Sequence, residues 1–599
     1  MAYTENHNRA TAFWLRVVKW RERHFRENRF VIFLSLIIGI ICGFAAQLLK
    51  FLIHFISSLL TSHLSLTNAN YVYLIYPALG IVASFLFVRF IVKDNISHGV
   101  TRVLYAISQR KSRLKRKFMW ASMISSSITI GFGGSVGAEG PIVYTGASIG
   151  SNIGQAFRLS PKILMILVGC GAAAGIAGIF RAPIAGMLFT LEVLMIDLTA
   201  VTVMPLLIAS ISASVVAYIL EGYGAEFFFT LSEPFQTSKI PYTIILGLIC
   251  GLVSLYFTKM MFFSEGIFSK IKRPYIKVFF GCIIVMMLIF LFPPLYGEGY
   301  GAIDNLLDGE VSTIVDGTFF YIDRHSIWFL AIYIGLIVLT KVFATAATNG
   351  AGGVGGTFAP SLFVGAMTGF LFAYVLNNLD LGVELSQKNF ALIGMAGVMS
   401  GVMHAPLMAI FLTAEMTGGY DLFLPLLIVS TLSYMTIKSF IPYSIYSLRL
   451  AKTGELMTHA KDKTVLSMLS INSLVEKDFK TIKPEMKLRD MVDLIAESKR
   501  NLFPVITNEG DFEGVVLLDD IRNIMFRTDL YDKMSVSRFM SMPPARIQIS
   551  DTMENVMKIF DDTNAWNLPV VDGNRYIGFV SKSKIFNSYR EVLRNYSDD

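Results

Sequence analysis

A glycine-rich segment that occurs twice in apolar surroundings constrains this chain more than any other feature. GGSVGAEGPIVYTGASIG runs from Gly133 to Gly150, and GGVGGTFAPSLFVGAMTG runs from Gly352 to Gly369. Gly133, Gly134, Gly137, Pro141, Gly146, Ala147 and Gly150 each meet an identical residue 219 positions further on. A second pair, GIFRAPIAGMLFTLEV at 178–193 and GVMHAPLMAIFLTAEM at 401–416, keeps Ala-Pro, Thr190/Thr413 and Glu192/Glu415 at a displacement of 223. The chain is therefore two related halves. Interrupted apolar segments at matching places in two halves point to a substrate site near the bilayer midplane, because broken helices aim their N-terminal amides there. Such a terminus carries about half a positive charge and unpaired N–H donors, so the substrate it suits is an anion.

With 54% hydrophobic and 16% charged residues and a mean hydropathy of +0.56, the chain is too apolar for a soluble globular protein. Apolar runs cover 31–60, 71–92, 161–180, 183–220, 240–262, 276–294, 326–346, 360–378 and 388–437. Several reach the roughly 20 residues that a spanning helix needs. Others are shorter or cut by Gly and Pro, which predicts tilted and re-entrant helices. The expected fold is an all-α polytopic membrane domain over 30–450, with repeats at about 30–225 and 240–450, preceded by a polar N-terminal segment, 1–29. No cleavable signal pattern is expected there, because about 29 polar and basic residues precede the first apolar run. Basic clusters at 16–29 and 110–117, against no Lys or Arg in 61–70, place the N-terminus and the 93–117 segment in the cytoplasm by the positive-inside rule. Beside spans, these clusters read as membrane flanks rather than nucleic-acid patches. Cys42, Cys170, Cys250 and Cys282 lie inside apolar runs without metal-ligand spacing and read as packing residues.

After about Leu450 a soluble composition begins, and it repeats as well. NLFPVITNEGDFEGVVLLDDI around Pro504 matches WNLPVVDGNRYIGFVSKSKI around Pro569, with Leu488 and Met553 at the same displacement of 65. Each copy reads as helix, short buried strand, turn, strand ending at Gly514 or Gly578, then helix. This α/β tail, 466–530 and 535–595, resembles a tandem pair of CBS domains, modules that pair two-fold and often bind adenine nucleotides. In that family a Ser or Thr and an Asp contact phosphate and ribose, and each copy here keeps one of the two. The first has Leu517 and Asp520, the second Ser581 and Lys584, so adenine nucleotide at Asp520 and Ser581 is doubtful and a cytoplasmic dimerisation module is the simpler reading.

Within the first glycine loop, Glu139 is the residue that chemistry singles out. A carboxylate in a membrane segment costs at least about 2.5–3.5 kcal/mol, so it faces a cavity or pathway. Gly137 and Gly140 beside it remove side chains and let backbone amides approach whatever occupies the site. A carboxylate held by helix N-termini resembles a bound anion, so Glu139 can occupy the anion's own site and leave it when protonated. Helix packing alone would explain the glycines but not the acid.

GAEGP at 137–141 with GTFAP at 356–360 resembles the CLC family of chloride channels and chloride/proton antiporters, over about Phe30 to Leu450, and the CBS tail is that family's common appendage. The resemblance implies a homodimer with one anion pathway per subunit, each subunit an inverted repeat, in the cell (inner) membrane with both termini cytoplasmic. It implies Glu139 as the gate, an anion held by Gly137, Ala138 and Gly140 on one side and by Gly356, Thr357 and Phe358 on the other, and no cofactor. The family's pathway tyrosine falls at Tyr446, with Tyr443 near enough to compete. The family's GSGIP loop falls at Ser97 to Thr101, where the serine becomes His98 and only the second glycine, Gly99, is kept. Backbone amides are therefore expected to do most of the coordination.

The antiporters commonly carry a second, cytoplasmic glutamate after the position of Glu192, and here that internal proton position is Val193. Members that behave as channels often carry valine there, so the resemblance favours a passive voltage- or pH-gated chloride channel over the proton-coupled antiporter. Glu192 and Glu415, being repeat-related, read as buried helix-packing or hydrogen-bonding acids rather than as proton carriers. A CBS-linked divalent cation transporter would need clustered oxygen ligands in the membrane, and this core has few acids. No Ser/His/Asp constellation, P-loop or HExxH pattern supports an enzyme.

Overall fold

The computed structural model describes residues 21, 27–61, 71–109, 112–222, 235–309, 314–315, 318, 327–379, 382, 384–453 and 469–596. Most of the basic N-terminal cluster and of 61–70 lie outside them. The chain divides into Met1–Leu456 and Met457–Asp599.

The regular elements of the first unit are helices. The first half holds α1 (Glu27–Thr61), α2 (Ile75–Leu86, continued to Val92 by a wider π turn), α3 (Gly99–Gln109), α4 (Phe118–Gly131), α5 (Glu139–Ala156), α6 (Pro161–Phe180), α7 (Pro183–Glu192) and α8 (Ala200–Glu221). The second holds α9 (Ile240–Lys270), α10 (Pro274–Leu291), α11 (Tyr300–Asp308), α12 (Ile327–Gly350), α13 (Phe358–Asn377), α14 (Gln387–Met403), α15 (Pro406–Thr417), α16 (Phe423–Phe440) and α17 (Ser447–Thr453). At 1.5 Å per residue the 35 residues of α1 extend about 50 Å, well beyond the roughly 30 Å hydrocarbon core, so this helix crosses obliquely or runs on into the interface.

Two apolar runs divide more finely than their composition indicates. The run at 183–220 is two helices, α7 and α8, and the run at 388–437 is three, α14 to α16. The breaks are backbone events that hydropathy does not register. The run at 183–220 breaks after Glu192, where Met195 is left-handed (φ 57°), and the run at 388–437 breaks at His404 (φ 54°) and Gly418 (φ 72°); Arg181 at the end of α6 (φ 57°) matches His404 at the end of α14, and an Ala-Pro follows each. Proline has no N–H to give and suits the first helical position, so a new short helix starts at Pro183 and at Pro406. The matching starts also repeat: the hydroxyls of Ser160 and Ser386 accept from Ile163 N and Asn389 N.

Small residues set how closely the halves' inner helices lie. A Cβ on Gly146 would come 2.0 Å from the carbonyl oxygen of Gly171, and one on Gly365 2.4 Å from that of Gly394. The later glycines of each repeat are thus contact surfaces between α5 and α6 and between α13 and α14. The earlier ones are free for a different use.

The tail contains α18 (Leu488–Glu497), β1 (Leu502–Ile506), β2 (Phe512–Leu517), β3 (Ile547–Gln548), α19 (Met553–Thr563), β4 (Asn567–Asp572), β5 (Arg575–Ser581) and α20 (Lys582–Tyr596). β1 pairs antiparallel with β2 and β4 with β5, placing Pro504 opposite Val515 and Pro569 opposite Phe579. The second strand of each pair runs three residues past the expected glycine, to Leu517 and Ser581. Phe512, Val515, Val571 and Phe579 share one buried cluster that joins the two copies.

Candidate anion site between the glycine loops

Glu139 opens α5 and is 2% exposed. Its Oε1 accepts from the hydroxyl of Tyr300 at 2.6 Å, and its Oε2 lies 3.4 Å from the amide of Ala359, in the first turn of α13. One carboxylate thus sits between the N-termini of the two repeat-related helices, α5 and α13.

The loops are tied together by a two-residue antiparallel bridge. Gly137 N donates to Gly356 O at 3.0 Å, and Gly356 N to Gly137 O at 2.6 Å. Side chains are excluded here: a Cβ on Gly356 would stand 2.9 Å from Gly140 N, and one on Gly137 would strike the Glu139 carboxylate. The bridge narrows the expected donor set. The amides of Gly137 and Gly356 are committed to each other, and that of Ala138 donates to Glu298 Oε1 at 2.9 Å, so none of the three offers an N–H to an ion in this arrangement. The amides of Gly140, Thr357 and Phe358 have no such partner among the described residues.

Two buried hydroxyls point the same way. Tyr446 is 4% exposed and Thr357 3% exposed, and among the described residues neither hydroxyl makes a hydrogen bond of ordinary length and angle, the two being at most weak partners of each other. Unsatisfied buried polar groups are costly, so a pair of them next to free amides marks a place for a ligand. Tyr443 is only half-buried. The Phe358 ring stacks on Phe180 with centroids 5.6 Å apart, which leaves its backbone as the part facing the site.

The Ser97–Thr101 loop joins this centre through Gly99, whose missing side chain lets it lie against Gly140 and Tyr144. Thr101 Oγ1 donates to the carbonyl of Tyr446 at 3.3 Å. His98 turns elsewhere: its Nε2 is 3.9 Å from Glu265 Oε1, too long for a hydrogen bond, and Glu265 is itself paired with Arg449. Val193 is buried at the end of α7 and contributes no acid. Glu192 and Glu415 cap each other's repeat. Ile184 N and Ala185 N donate to Glu415 at 3.1 and 2.9 Å, and Leu407 N and Met408 N donate to Glu192 at 3.2 and 2.8 Å. Of the helix-packing and hydrogen-bonding roles expected, the pair takes the second, from half-buried rather than buried positions.

Sequence reasoning missed Tyr300, Glu298 and Lys341. The signal was the run Gly297-Glu298-Gly299-Tyr300, an acid among glycines at the end of a span, as at Glu139.

Two facing helix N-termini around one buried acid, in a helical membrane unit built of related halves, define an anion-transport protein of the membrane. The chain belongs to the voltage gated chloride channel family, whose model matches residues 79–438, and two CBS domains match 471–527 and 536–591. That family transports chloride and is not enzymatic. The chain is 30% identical over 332 residues to the voltage-gated ClC-type chloride channel ClcB of Escherichia coli, spanning 55% of this chain and 75% of that one. It is 25% identical over 416 residues to the H(+)/Cl(-) exchange transporter ClcA of Vibrio cholerae, spanning 67% and 84%. Its fold is shared with a slow cyanobacterial Cl-/H+ antiporter (TM-score 0.61, 21% identity, 72% of this chain and 98% of that one). It is shared too with a eukaryotic CLC transporter (TM-score 0.58, 17% identity, 92% and 97%).

Proposed function

We propose that the chain is a passive chloride channel in which Glu139 closes the ion's path and leaves it when protonated. The observation that carries this reading is the seat of the Glu139 carboxylate, between two helix N-termini, where an anion would find the same donors. The ion is then held by the amides of Gly140, Thr357 and Phe358 and the hydroxyls of Thr357 and Tyr446, with Gly99 backing the gate helix. A channel is favoured over an antiporter because Val193 supplies no internal acid and Glu192 beside it is spent on the amides of α15. The chain works as a homodimer in the cell membrane with both termini cytoplasmic, residues 30–450 forming the transport unit, and the tail, 466–530 and 535–595, pairing subunits.

Glu139→Gln should raise chloride flux and flatten its pH response, since the neutral side chain mimics the protonated gate. Unchanged flux with unchanged pH response would remove Glu139 from that role. For purified protein in a bilayer under combined chloride and pH gradients, the reversal potential should follow chloride alone. The second reading, the antiporter, is favoured by the exchangers among the relatives. Uphill proton movement driven by chloride would establish it.

A further inference from the structure

The loop between α10 and α11 lies at the end of α2 remote from the basic 93–117 segment. Tyr296 packs against Tyr73 just before α2, whereas Phe85 and Arg89 near the other end of α2 pack on Tyr275 at the start of α10. By the positive-inside rule this is the external side. The loop is pinned to both halves. Gly297 N donates to Gly133 O at 3.0 Å, and the fully buried Lys341 donates to Gly297 O at 3.1 Å with its ammonium 4.8 Å above the ring of Phe363. Gly299, at φ +98° and against that same ring, admits no side chain.

So fixed, the loop delivers two groups to the gate. Tyr300 donates to Glu139, and two residues earlier Glu298 accepts the amide of Ala138, the N-cap of the gate helix. That amide is one of the donors a helix N-terminus offers to an anion. Of the groups near Glu298, the buried Lys341 of α12 interacts with it electrostatically, while Glu139 of α5 is held by Tyr300 of α11. Glu139 is buried whereas Glu298 is half-buried and in reach of solvent.

We infer that Glu298 is a specificity-determining second carboxylate at the mouth of the path: it occupies the N-cap amide of the gate helix, and an anion arriving from that side competes with it. This deepens the gate reading, on which it rests. The two carboxylates act differently. Glu139 sits in the path and opens by leaving it, whereas Glu298 stays beside the path and sets how readily a small anion is admitted from one face.

The test is the chloride dependence of flux measured separately from each face of oriented protein in a bilayer, for Glu298→Ala and Glu298→Gln, each alone and with Glu139→Gln. Freeing the amide and removing the charge should lower the external half-saturation concentration about two- to fivefold, the size of a charge effect at a helix terminus. The internal value should move less. Glu298→Gln, which keeps a neutral acceptor on Ala138, should give the smaller change, and both effects should persist with Glu139→Gln. An unchanged external half-saturation in both variants, or an equal change on both faces, would overturn the assignment. Failure of the gate reading would show separately, as unchanged flux and pH response in Glu139→Gln alone.

Discussion

A carboxylate and a chloride ion compete for the same donors, and at the residue scale Glu139 holds its place by one strong bond and one weak one. The 2.6 Å bond from Tyr300 is the strong one, and a hydrogen bond to a charged group is worth about 1.5–3 kcal/mol. Tyr300→Phe removes it without changing the ring, so flux at fixed pH should rise by roughly tenfold or more as the seated carboxylate is released. Equal or lower flux would show that Tyr300 shapes the site rather than latching it. At Gly356 the constraint is steric. A valine Cβ there meets Gly140 N at 2.9 Å and breaks the bridge to Gly137, so Gly356→Val should abolish transport in protein that still runs as a single species on size exclusion. His98, turned toward Glu265, should matter little. His98→Ala is expected to change relative chloride, bromide and nitrate currents only modestly, and loss of discrimination would show that its side chain reaches the ion.

At the scale of elements, α7 and α15 are short helices whose N-terminal amides find no partner within their own chain segment, and each is capped by the glutamate at the far end of the other. Loss of a capping acceptor costs about 0.5–2 kcal/mol, so Glu415→Ala should lower the thermal midpoint while Glu415→Gln, still an acceptor, lowers it less. Indistinguishable midpoints would refute the capping role. The repeat made this pair legible, since two acids at one offset from two Ala-Pro pairs imply one job done twice. Other elements were hidden for a physical reason. Hydropathy sums side chains, and the breaks at Met195 and His404 are left-handed backbone turns inside runs that it reads as continuous. Glu139 could be read because its cost is local, an acid in a membrane segment. Glu298 and Tyr300 could not, because they meet Ala138 and Glu139 across about 160 residues of chain, through a loop position fixed by contacts of Gly297, Gly299 and Lys341 that the sequence does not display. At Gly137, Ala138 and Gly356 the sequence shows a glycine loop but not that the second loop and Glu298 engage these amides in this arrangement.

At the scale of the molecule, the membrane unit and the tail are each built by doubling. In the membrane unit the two copies of the glycine loop are bridged to each other, so doubling brings two helix N-termini onto one carboxylate. In the tail the corresponding position is already filled. Ser581, the hydroxyl kept by the second CBS copy, donates to Glu476 Oε1 at 2.8 Å and accepts from Lys584 N at 3.1 Å, while Arg500 holds the other oxygen of Glu476 at 2.9 Å. A phosphate approaching Ser581 would meet a carboxylate and would have to displace a charged pair, and Asp520 in the first copy stands exposed without the hydroxyl its family partner supplies. ATP or AMP should therefore bind weakly or not at all. Titration calorimetry of the purified full-length chain with each nucleotide checks this. A micromolar affinity, about −8 kcal/mol, would mean that the Glu476 pair opens to admit phosphate and that the tail senses nucleotide after all.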